Sequence, residues 1–134
     1  MKAVLKFDGG SRGNPGPSAC AYTIEWGEKK IQDGKFLNEN TNNFAEWMGL
    51  VAGLERAVEC LEPQNTEIFI FSDSELVVRQ VTGVYKVKNP ILSSLRMNAM
   101  NLLSKFKSFE ITHVKREYNK ECDEKVNEIL DSCK

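Results

Sequence analysis

The order of its segments predicts that this chain forms an α/β fold with a five-stranded mixed sheet and helices on both faces. Three strand-like runs open the chain, and two more strands alternate with helical segments in the order β-β-β-α-β-α-α-β-α. Strands joined by tight turns pair antiparallel, whereas strands joined through helices pair parallel. We therefore expect an antiparallel meander followed by parallel strands, in a single domain of residues 1–134.

The strands are predicted from short apolar or alternating runs that are bounded by turn residues. Gly27 and Glu28 make a turn, so the second and third strands should form a hairpin, and a Gly/Pro-rich loop over residues 9–17 joins the first strand to the second. The expected strands are Lys2–Asp8, Ala19–Trp26, Lys30–Leu37, Thr66–Ser72 and Phe109–Val114.

The helices are predicted from apolar side chains at helical spacing and from capping residues at the helix ends. The expected caps are Thr41, Asn42 or Asn43 for the first helix, Asp73 or Ser74 for the second, and Asn89 before Pro90 for the third. The expected helices are about Phe44–Leu61, a short helix closed by Gly83, Pro90 to Lys105 or beyond, and about Lys120–Asp131.

The composition is that of an ordinary soluble globular protein, with 41% apolar residues, 28% charged residues and a net charge of −1. This charge does not by itself indicate a nucleic-acid partner. No apolar run is long enough to span a bilayer, and Met1–Phe7 resembles a strand rather than a signal peptide. We therefore expect a cytoplasmic monomer that does not associate with membranes.

The four cysteines lack the CxxC spacing that is typical of a zinc site. Cys20 and Cys122 fall in apolar segments and are expected to be buried thiols. Cys60 and Cys133 end two predicted helices, where they could meet. Because nothing else indicates an oxidising compartment, we expect reduced thiols.

Two acidic residues end predicted strands. Asp8 ends the first strand at the Gly-rich loop, and Asp73 follows the fourth strand and leads into a helix. Either residue alone could simply begin a turn. In open α/β sheets, however, ligands collect at the carboxyl ends of strands, so two such residues favour one shared site.

Two more acidic residues lie near the starts of predicted helices. Glu46 lies in the first turn of the long helix, and Asp123 lies near the start of the last one, beside Glu121 and Glu124. A carboxylate here also stabilises the helix dipole, and spacing does not decide among the three acidic residues of the last helix. A cluster of carboxylates raises its own pKa values unless a cation neutralises it. Mg²⁺ is the usual cation, and a pair of Mg²⁺ ions suits phosphodiester cleavage.

Four segments, in order along nearly the whole chain, resemble the signatures of the type 1 ribonuclease H family. They are DGGSRGNPGPSA after the first strand, TNNFAEW at the start of the long helix, SDSELV after the fourth strand, and NKECDEKVN at the last helix. The last of these resembles the family pattern N-x-x-x-D-x-x-x-N. The resemblance implies the ribonuclease H fold and endonucleolytic hydrolysis of the RNA strand of RNA/DNA hybrids, with 5′-phosphate and 3′-hydroxyl products.

The resemblance also implies roles for individual residues. The catalytic carboxylates would be Asp8, Glu46, Asp73 and Asp123, which would bind two Mg²⁺ ions, with Mn²⁺ as an alternative metal. The residues that read the minor groove of the hybrid would be Asn14, Asn42 and Asn43, and those that contact its backbone would be Ser11 and Thr41. Contacts to 2′-hydroxyl groups are what allow a protein to tell RNA from DNA.

The chain departs from the family pattern in the segment before Asn89 and at Glu75. That segment is too short for the basic protrusion of some bacterial members, so Lys86 and Lys88, with Tyr85 and Asn89, are expected to contact the substrate instead. Glu75 stands where many relatives carry Gln beside the substrate. Glu75 is therefore expected at the substrate, and whether it contacts RNA or metal stays open.

A third departure concerns histidine. Many members of the family place a mobile histidine in the loop after the last strand, where it aids turnover. His113 falls inside the predicted strand, where a packed position is expected, and Glu117 stands at or near the loop position. Glu117 is therefore the candidate for this role.

Two alternatives belong to other functional classes. One is a hybrid-binding module without catalysis, and the presence of all four carboxylates argues against it. The other is a protein of the same fold that acts on DNA junctions or transposon ends. The ribose-reading elements around Asn14 and Asn42 argue against that second class.

Overall fold

A computed structural model describes residues 1–133 of the chain, and it confirms the expected α/β fold. One five-stranded mixed sheet has helices on both faces. The strands are β1 Lys2–Ser11, β2 Gly16–Trp26, β3 Lys29–Asn40, β4 Glu67–Ser72 and β5 Ser108–His113. The helices are α1 Asn42–Cys60, α2 Glu75–Val81, α3 Pro90–Leu103 and α4 Lys120–Ser132, and short 3₁₀ turns lie at Pro63–Asn65 and Arg116–Asn119.

The strands lie in the order β3-β2-β1-β4-β5 across the sheet. β1, β2 and β3 form the antiparallel meander, whereas β4 pairs parallel to β1 and β5 pairs parallel to β4. The register sets Lys6 of β1 opposite Phe71 of β4. Asp8 and Asp73, each two residues further along, therefore lie level with each other just beyond this parallel pairing. The prediction that the first strand ends at Asp8 is wrong, because β1 continues to Ser11 through its pairing with β2.

Each face of the sheet packs against a different helical layer. Leu5 and Phe7 of β1 are fully buried in the larger core, which β1 forms with α1, α2 and α3. α4 covers the other face, where Val126 and Leu130 pack against Ala21 of β2. Burial of each Leu or Phe side chain contributes about 1.5–3 kcal/mol, so these two layers hold the strand ends firmly in place.

Two helix starts resolve choices that the sequence left open. α1 begins at Asn42 rather than Phe44, because Thr41 is its N-cap and accepts a hydrogen bond from the Phe44 N–H at 3.1 Å. Ser74 is the N-cap of α2 and accepts a hydrogen bond from the Val77 N–H at 3.3 Å. The Asp73 carboxylate is therefore not used as a cap.

The prediction that His113 is a packed residue is wrong. His113 does lie in β5, as expected, but its side chain is exposed at the end of that strand. β5 is an edge strand with a neighbour on one side only, and five of its six residues are exposed, which is why a strand position here does not imply burial.

The cysteines are free thiols. Cys20 and Cys122 are buried as predicted, and burial raises the pKa of the Cys20 thiol to about 11 and that of the Cys122 thiol to about 12. Cys60 and Cys133 are exposed and do not pair with each other. Within residues 1–133, no helix combines the length and the hydrophobicity needed to cross a membrane.

Two glycines allow α1 to approach the end of β1 closely. A Cβ atom at Gly9 would lie 2.1 Å from the backbone carbonyl carbon of Ala45, and one at Gly49 would lie 2.6 Å from the carbonyl oxygen of Asp8. Atoms cannot pack at such distances, so a side chain at either position would force the helix away from the strand. The absence of these side chains keeps Glu46 close to Asp8.

We expect Gly9→Ala to lower the free energy of unfolding by about 1–3 kcal/mol or more, because a clash with backbone atoms cannot be relieved by rotating a side chain. Urea denaturation measures the change. Gly10→Ala, at the next position of β1, is the matched control, since its Cβ would meet only the Val126 side chain, at 3.3 Å. Equal losses in the two variants would contradict the close approach of β1 and α1.

Candidate active site

A pocket of about 330 Å³ opens at the end of the sheet toward which the parallel strands β1 and β4 both run. Its walls come from β1, α1, α4, the segment after β4 and the 3₁₀ turn Arg116–Asn119. The four acidic residues that line it are Asp8, Glu46, Asp73 and Asp123. Tertiary folding therefore brings together carboxylates from four separate segments of the chain.

Asp8 is largely buried at the base of this group. Burial, followed by the negative charge of Asp73, raises the pKa of Asp8 from its ordinary value of 3.8 to about 8, and the charges of Asp123 and Glu46 act in the same direction. A hydrogen bond from the Gly9 N–H opposes this effect. In the absence of a cation, Asp8 therefore retains a proton at neutral pH.

Glu46 is stabilised by two polar neighbours. The Asn42 side-chain amide donates a hydrogen bond to Glu46 Oε1 at 2.9 Å, across one turn of α1. Burial raises the pKa of Glu46, and the charge of Asp73 adds to the increase, whereas hydrogen bonds from Ser74 and Asn42 favour the charged form. The cap of α2 thus also supports a carboxylate on α1.

Asp73 contacts both ends of the 3₁₀ turn Arg116–Asn119. The Asn119 amide donates a hydrogen bond to Asp73 Oδ1 at 2.9 Å, and Arg116 Nε lies 3.7 Å from Asp73 Oδ2. The Asp73 side chain is only 14% exposed, whereas the Arg116 side chain is 84% exposed. The buried amide, rather than the solvated guanidinium, is therefore the firmer of the two contacts.

The structure distinguishes Asp123 from its acidic neighbours. Asp123 lies in the first turn of α4 and lines the pocket. Glu121 instead forms an ion pair with Lys30 at 2.5 Å, outside the pocket, and Glu124 is exposed. The side chain of Asn127, one turn later, donates a hydrogen bond to the Asp123 carbonyl at 3.1 Å.

The donor set suits a divalent cation that prefers oxygen ligands, because all four side chains are carboxylates and their mutual repulsion is only partly offset. As the side chains are placed, however, no group of three or more Asp, Glu, His or Cys residues within 1–133 is close enough to hold a metal ion. The four carboxylates thus line the wall of a pocket rather than form a closed shell.

The residues expected to read the hybrid lie beside this pocket. Ser11 and Asn42 line it, and Thr41 caps α1. The Asn14 side chain accepts a hydrogen bond from the Asn42 N–H at 3.0 Å, which ties the loop between β1 and β2 to the start of α1. Asn43 is half-buried, and its Oδ1 has no hydrogen-bond partner.

Glu75 does not line the carboxylate pocket. Its Oε1 accepts a hydrogen bond from Arg79 Nε at 2.7 Å, and the Arg79 guanidinium lies 5.4 Å from the ring centre of Tyr85. The sequence left the partner of Glu75 open. In the structure, Arg79 of the same helix balances its negative charge.

The lysines predicted to contact the substrate lie between α2 and α3. Lys86 and Lys88 are exposed, and Asn89 caps α3 through hydrogen bonds from two backbone N–H groups. Lys86 and Arg96 line a second groove of about 340 Å³. The sequence had not indicated a role for Arg96.

Glu117 does not line the carboxylate pocket. It lies in the 3₁₀ turn Arg116–Asn119, where it lines a different depression with Lys6 and Lys120. The residue before it, Arg116, faces the carboxylates instead. A contribution of Glu117 to turnover therefore stays a prediction, and the structure supplies no contact that supports it.

Sequence reasoning assigned no role at the site to Arg116, Asn119 or Ser74, which the structure brings into contact with the carboxylates. Asn119 is the first asparagine of the motif NKECDEKVN, so the motif itself carried a signal for it. Ser74 had been considered only as a helix cap. Arg116 follows the last strand among other basic residues, but no motif indicated that it faces the carboxylates.

Comparisons with known proteins identify the family. A family model described as Reverse transcriptase-like matches residues 7–129. The chain is 39% identical over 127 residues to the protein named Ribonuclease HI of Halobacterium salinarum, which covers 93% of this chain and 62% of that protein. It is 38% identical over 135 residues to the Bifunctional protein Rv2228c of Mycobacterium tuberculosis, which covers 98% of this chain and 36% of that protein. The chain thus spans less than two thirds of the length of these curated relatives.

Solved structures agree along the whole domain. The crystal structure of RNase H1 from Halobacterium salinarum superposes with a TM-score of 0.91 at 36% identity, over 98% of this chain and 99% of that chain. LC11-RNase H1, solved in complex with an RNA/DNA hybrid, superposes with a TM-score of 0.89 at 32% identity, over 98% of both chains. The architecture is therefore the ribonuclease H fold, and this chain belongs to the type 1 ribonuclease H family.

Proposed function

We propose that this chain hydrolyses the RNA strand of RNA/DNA hybrids as an endonuclease, leaving 5′-phosphate and 3′-hydroxyl ends. The observation that carries the proposal is the pocket in which Asp8, Glu46, Asp73 and Asp123 meet. Its support comes from relatives named ribonuclease H and from the LC11-RNase H1 structure, which contains a hybrid.

We further propose that two Mg²⁺ ions, or Mn²⁺ in their place, are held by the four carboxylates. When bound, such ions activate a water molecule and stabilise the leaving oxygen of a phosphodiester. The protein supplies the carboxylates that attract the ions and the polar side chains that orient those carboxylates. Asn42 orients Glu46, and Asn119 orients Asp73.

The hybrid would lie across the start of α1. There the side chain of Asn42 is already engaged with Glu46, and the Asn14 oxygen with the Asn42 backbone. These contacts hold the asparagines beside the pocket, where their remaining polar atoms can meet 2′-hydroxyl groups. Recognition of ribose and placement of a carboxylate would then be coupled through one residue, Asn42.

Arg116 would add a positive charge at the mouth of the pocket. Its exposed guanidinium lies near Asp73 and can exchange this contact for a phosphate oxygen of the substrate. Lys86, which lines a groove with Arg96, and Lys88, two residues later, would bind phosphates further along the hybrid.

The central test is a gel assay on a labelled RNA/DNA hybrid with Mg²⁺. Wild-type protein should cut only the RNA strand, whereas Asp8→Asn and Asp73→Asn should lose nearly all activity because each removes a carboxylate from the pocket. RNA/RNA and DNA/DNA duplexes are the substrate controls. Near-wild-type rates in both variants would disprove the assignment of the site.

The raised pKa of Asp8 leads to a prediction about stability in the absence of metal. Because the folded protein retains a proton on Asp8 that the unfolded chain releases near pH 3.8, stability should fall as the pH rises from about 4 toward about 8. Asp8→Asn should be more stable than wild type at pH 8 and should lose most of this dependence.

Urea midpoints in the presence of a chelator, measured at about pH 5 and about pH 8, test this prediction. Addition of Mg²⁺ at about pH 8 should stabilise the wild type more than Asp8→Asn. Parallel pH dependence in the two proteins would show that Asp8 is not the group responsible.

Lys86→Ala combined with Lys88→Ala should raise KM for the hybrid with little change in kcat. Loss of two phosphate contacts should also reduce the slope of log binding constant against log salt by about 1.8. The matched control combines Lys105→Ala with Lys107→Ala, two exposed lysines between α3 and β5. If both double variants bind alike, Lys86 and Lys88 do not contact the substrate.

A further inference from the structure

Asn119 lies behind the carboxylate pocket, at the end of the 3₁₀ turn Arg116–Asn119 and directly before α4. It is 2% exposed. Its Nδ2 donates one hydrogen bond to the carbonyl oxygen of Phe7, at 2.8 Å, and another to Asp73 Oδ1, at 2.9 Å. One buried amide therefore joins the start of α4 to the ends of β1 and β4.

The orientation of this amide follows from its partners. If it were turned over, Oδ1 would face two oxygen acceptors, the Phe7 carbonyl and the Asp73 carboxylate. In the orientation observed, both hydrogens of Nδ2 are used, but Oδ1 is buried without a partner. An unpaired buried acceptor is unfavourable, so the contacts to Phe7 and Asp73 outweigh it.

The Asn119 side chain does not cap α4, although its position would allow this. Asparagine is among the best N-cap residues, and Asn119 occupies the N-cap position of α4, yet its side chain makes no capping hydrogen bond. Its polar atoms serve contacts to distant segments instead of the helix that it precedes.

These contacts reach three of the four carboxylates. Asp8 follows Phe7 in β1, Asp73 is bound directly, and Asp123 lies in the first turn of α4. We infer that Asn119 is a positioning residue, which fixes Asp73 relative to Asp8 and Asp123 so that these carboxylates need less side-chain movement to converge on a divalent cation. This inference rests on the proposed function.

Two contacts set the direction of the Asp73 carboxylate. Asn119 holds Oδ1 on the buried side, and Arg116, which is mostly exposed, lies 3.7 Å from Oδ2 on the outer side. Without the Asn119 amide, only the contact to the solvated Arg116 would remain, and Asp73 would be free to rotate toward solvent. With it, Oδ1 is occupied, and Oδ2 is the oxygen left for a cation.

The test measures binding of Mn²⁺ to the full chain without substrate, by electron paramagnetic resonance or calorimetry, for wild type, Asn119→Ala and Asn119→Ser. Loss of a residue that supports a metal ligand typically weakens metal binding about 10- to 100-fold, and we expect this for Asn119→Ala. Asn119→Ser, which keeps one donor, should fall between Asn119→Ala and wild type. The Mg²⁺ concentration for half-maximal cleavage should rise in parallel, while KM for the hybrid stays unchanged.

Thr66→Val is the matched control. Thr66 is also fully buried, and it donates a hydrogen bond to the Glu62 carbonyl at 2.7 Å, but it lies before β4, at the end of that strand opposite Asp73. Its substitution should lower the melting temperature without changing the affinity for Mn²⁺. This variant separates loss of stability from loss of positioning.

The outcomes are distinct. If Asn119→Ala does not fold, Asn119→Ser decides the question at a temperature where its melting curve shows it to be folded. Folded Asn119 variants that bind Mn²⁺ as tightly as wild type would overturn the inference and leave the proposed function intact. A wild-type protein that neither binds Mn²⁺ nor cuts a hybrid would overturn the proposed function itself.

Discussion

The close approach of α1 to the end of β1 is the constraint on which the site depends. At Gly9 and Gly49 the strand and the helix are in direct backbone contact, because neither position has room for a Cβ atom. This contact places the helical turn that carries Glu46 against the part of β1 that carries Asp8. Both carboxylates thus stand on rigid elements, and their separation does not rely on a flexible loop.

The parallel register of β4 with β1 then brings in a third carboxylate, and the packing of α4 on the opposite face brings in a fourth. The resulting negative charge is only partly balanced by the protein. Glu46 and Asp73 receive side-chain hydrogen bonds from Asn42 and Asn119. The bond from Asn42 favours the charged form of Glu46. The Gly9 N–H donates a hydrogen bond to Asp8 that favours its charged form. Burial and the charges of the neighbouring carboxylates outweigh this bond and raise the pKa of Asp8 to about 8. The site therefore carries excess negative charge, which a bound cation would neutralise.

Local patterns predicted most of the fold because the forces that start and stop these elements are themselves local. Thr41, Ser74 and Asn89 were each among the expected caps, and each caps its helix in the structure. The choice between Asp73 and Ser74 was not available from the sequence, since both are good capping residues. The packed position expected for His113 was wrong because burial of a strand residue depends on what lies beside and above the strand, which spacing does not report.

By itself, the sequence determined which elements form, since alternation, helical spacing, caps and ordered motifs all act over a few residues. It placed Asp8 at the end of the first strand, whereas β1 continues to Ser11 because β2 pairs with it that far. Only the tertiary structure decided how these elements meet. Asn119 reaches the Phe7 carbonyl across 112 positions of the chain. In the same short turn, Arg116 faces the carboxylates and Glu117 faces away from them. Such directions are set by how the turn docks between β1, β4 and α4, and docking is a property of the whole packed sheet rather than of any segment.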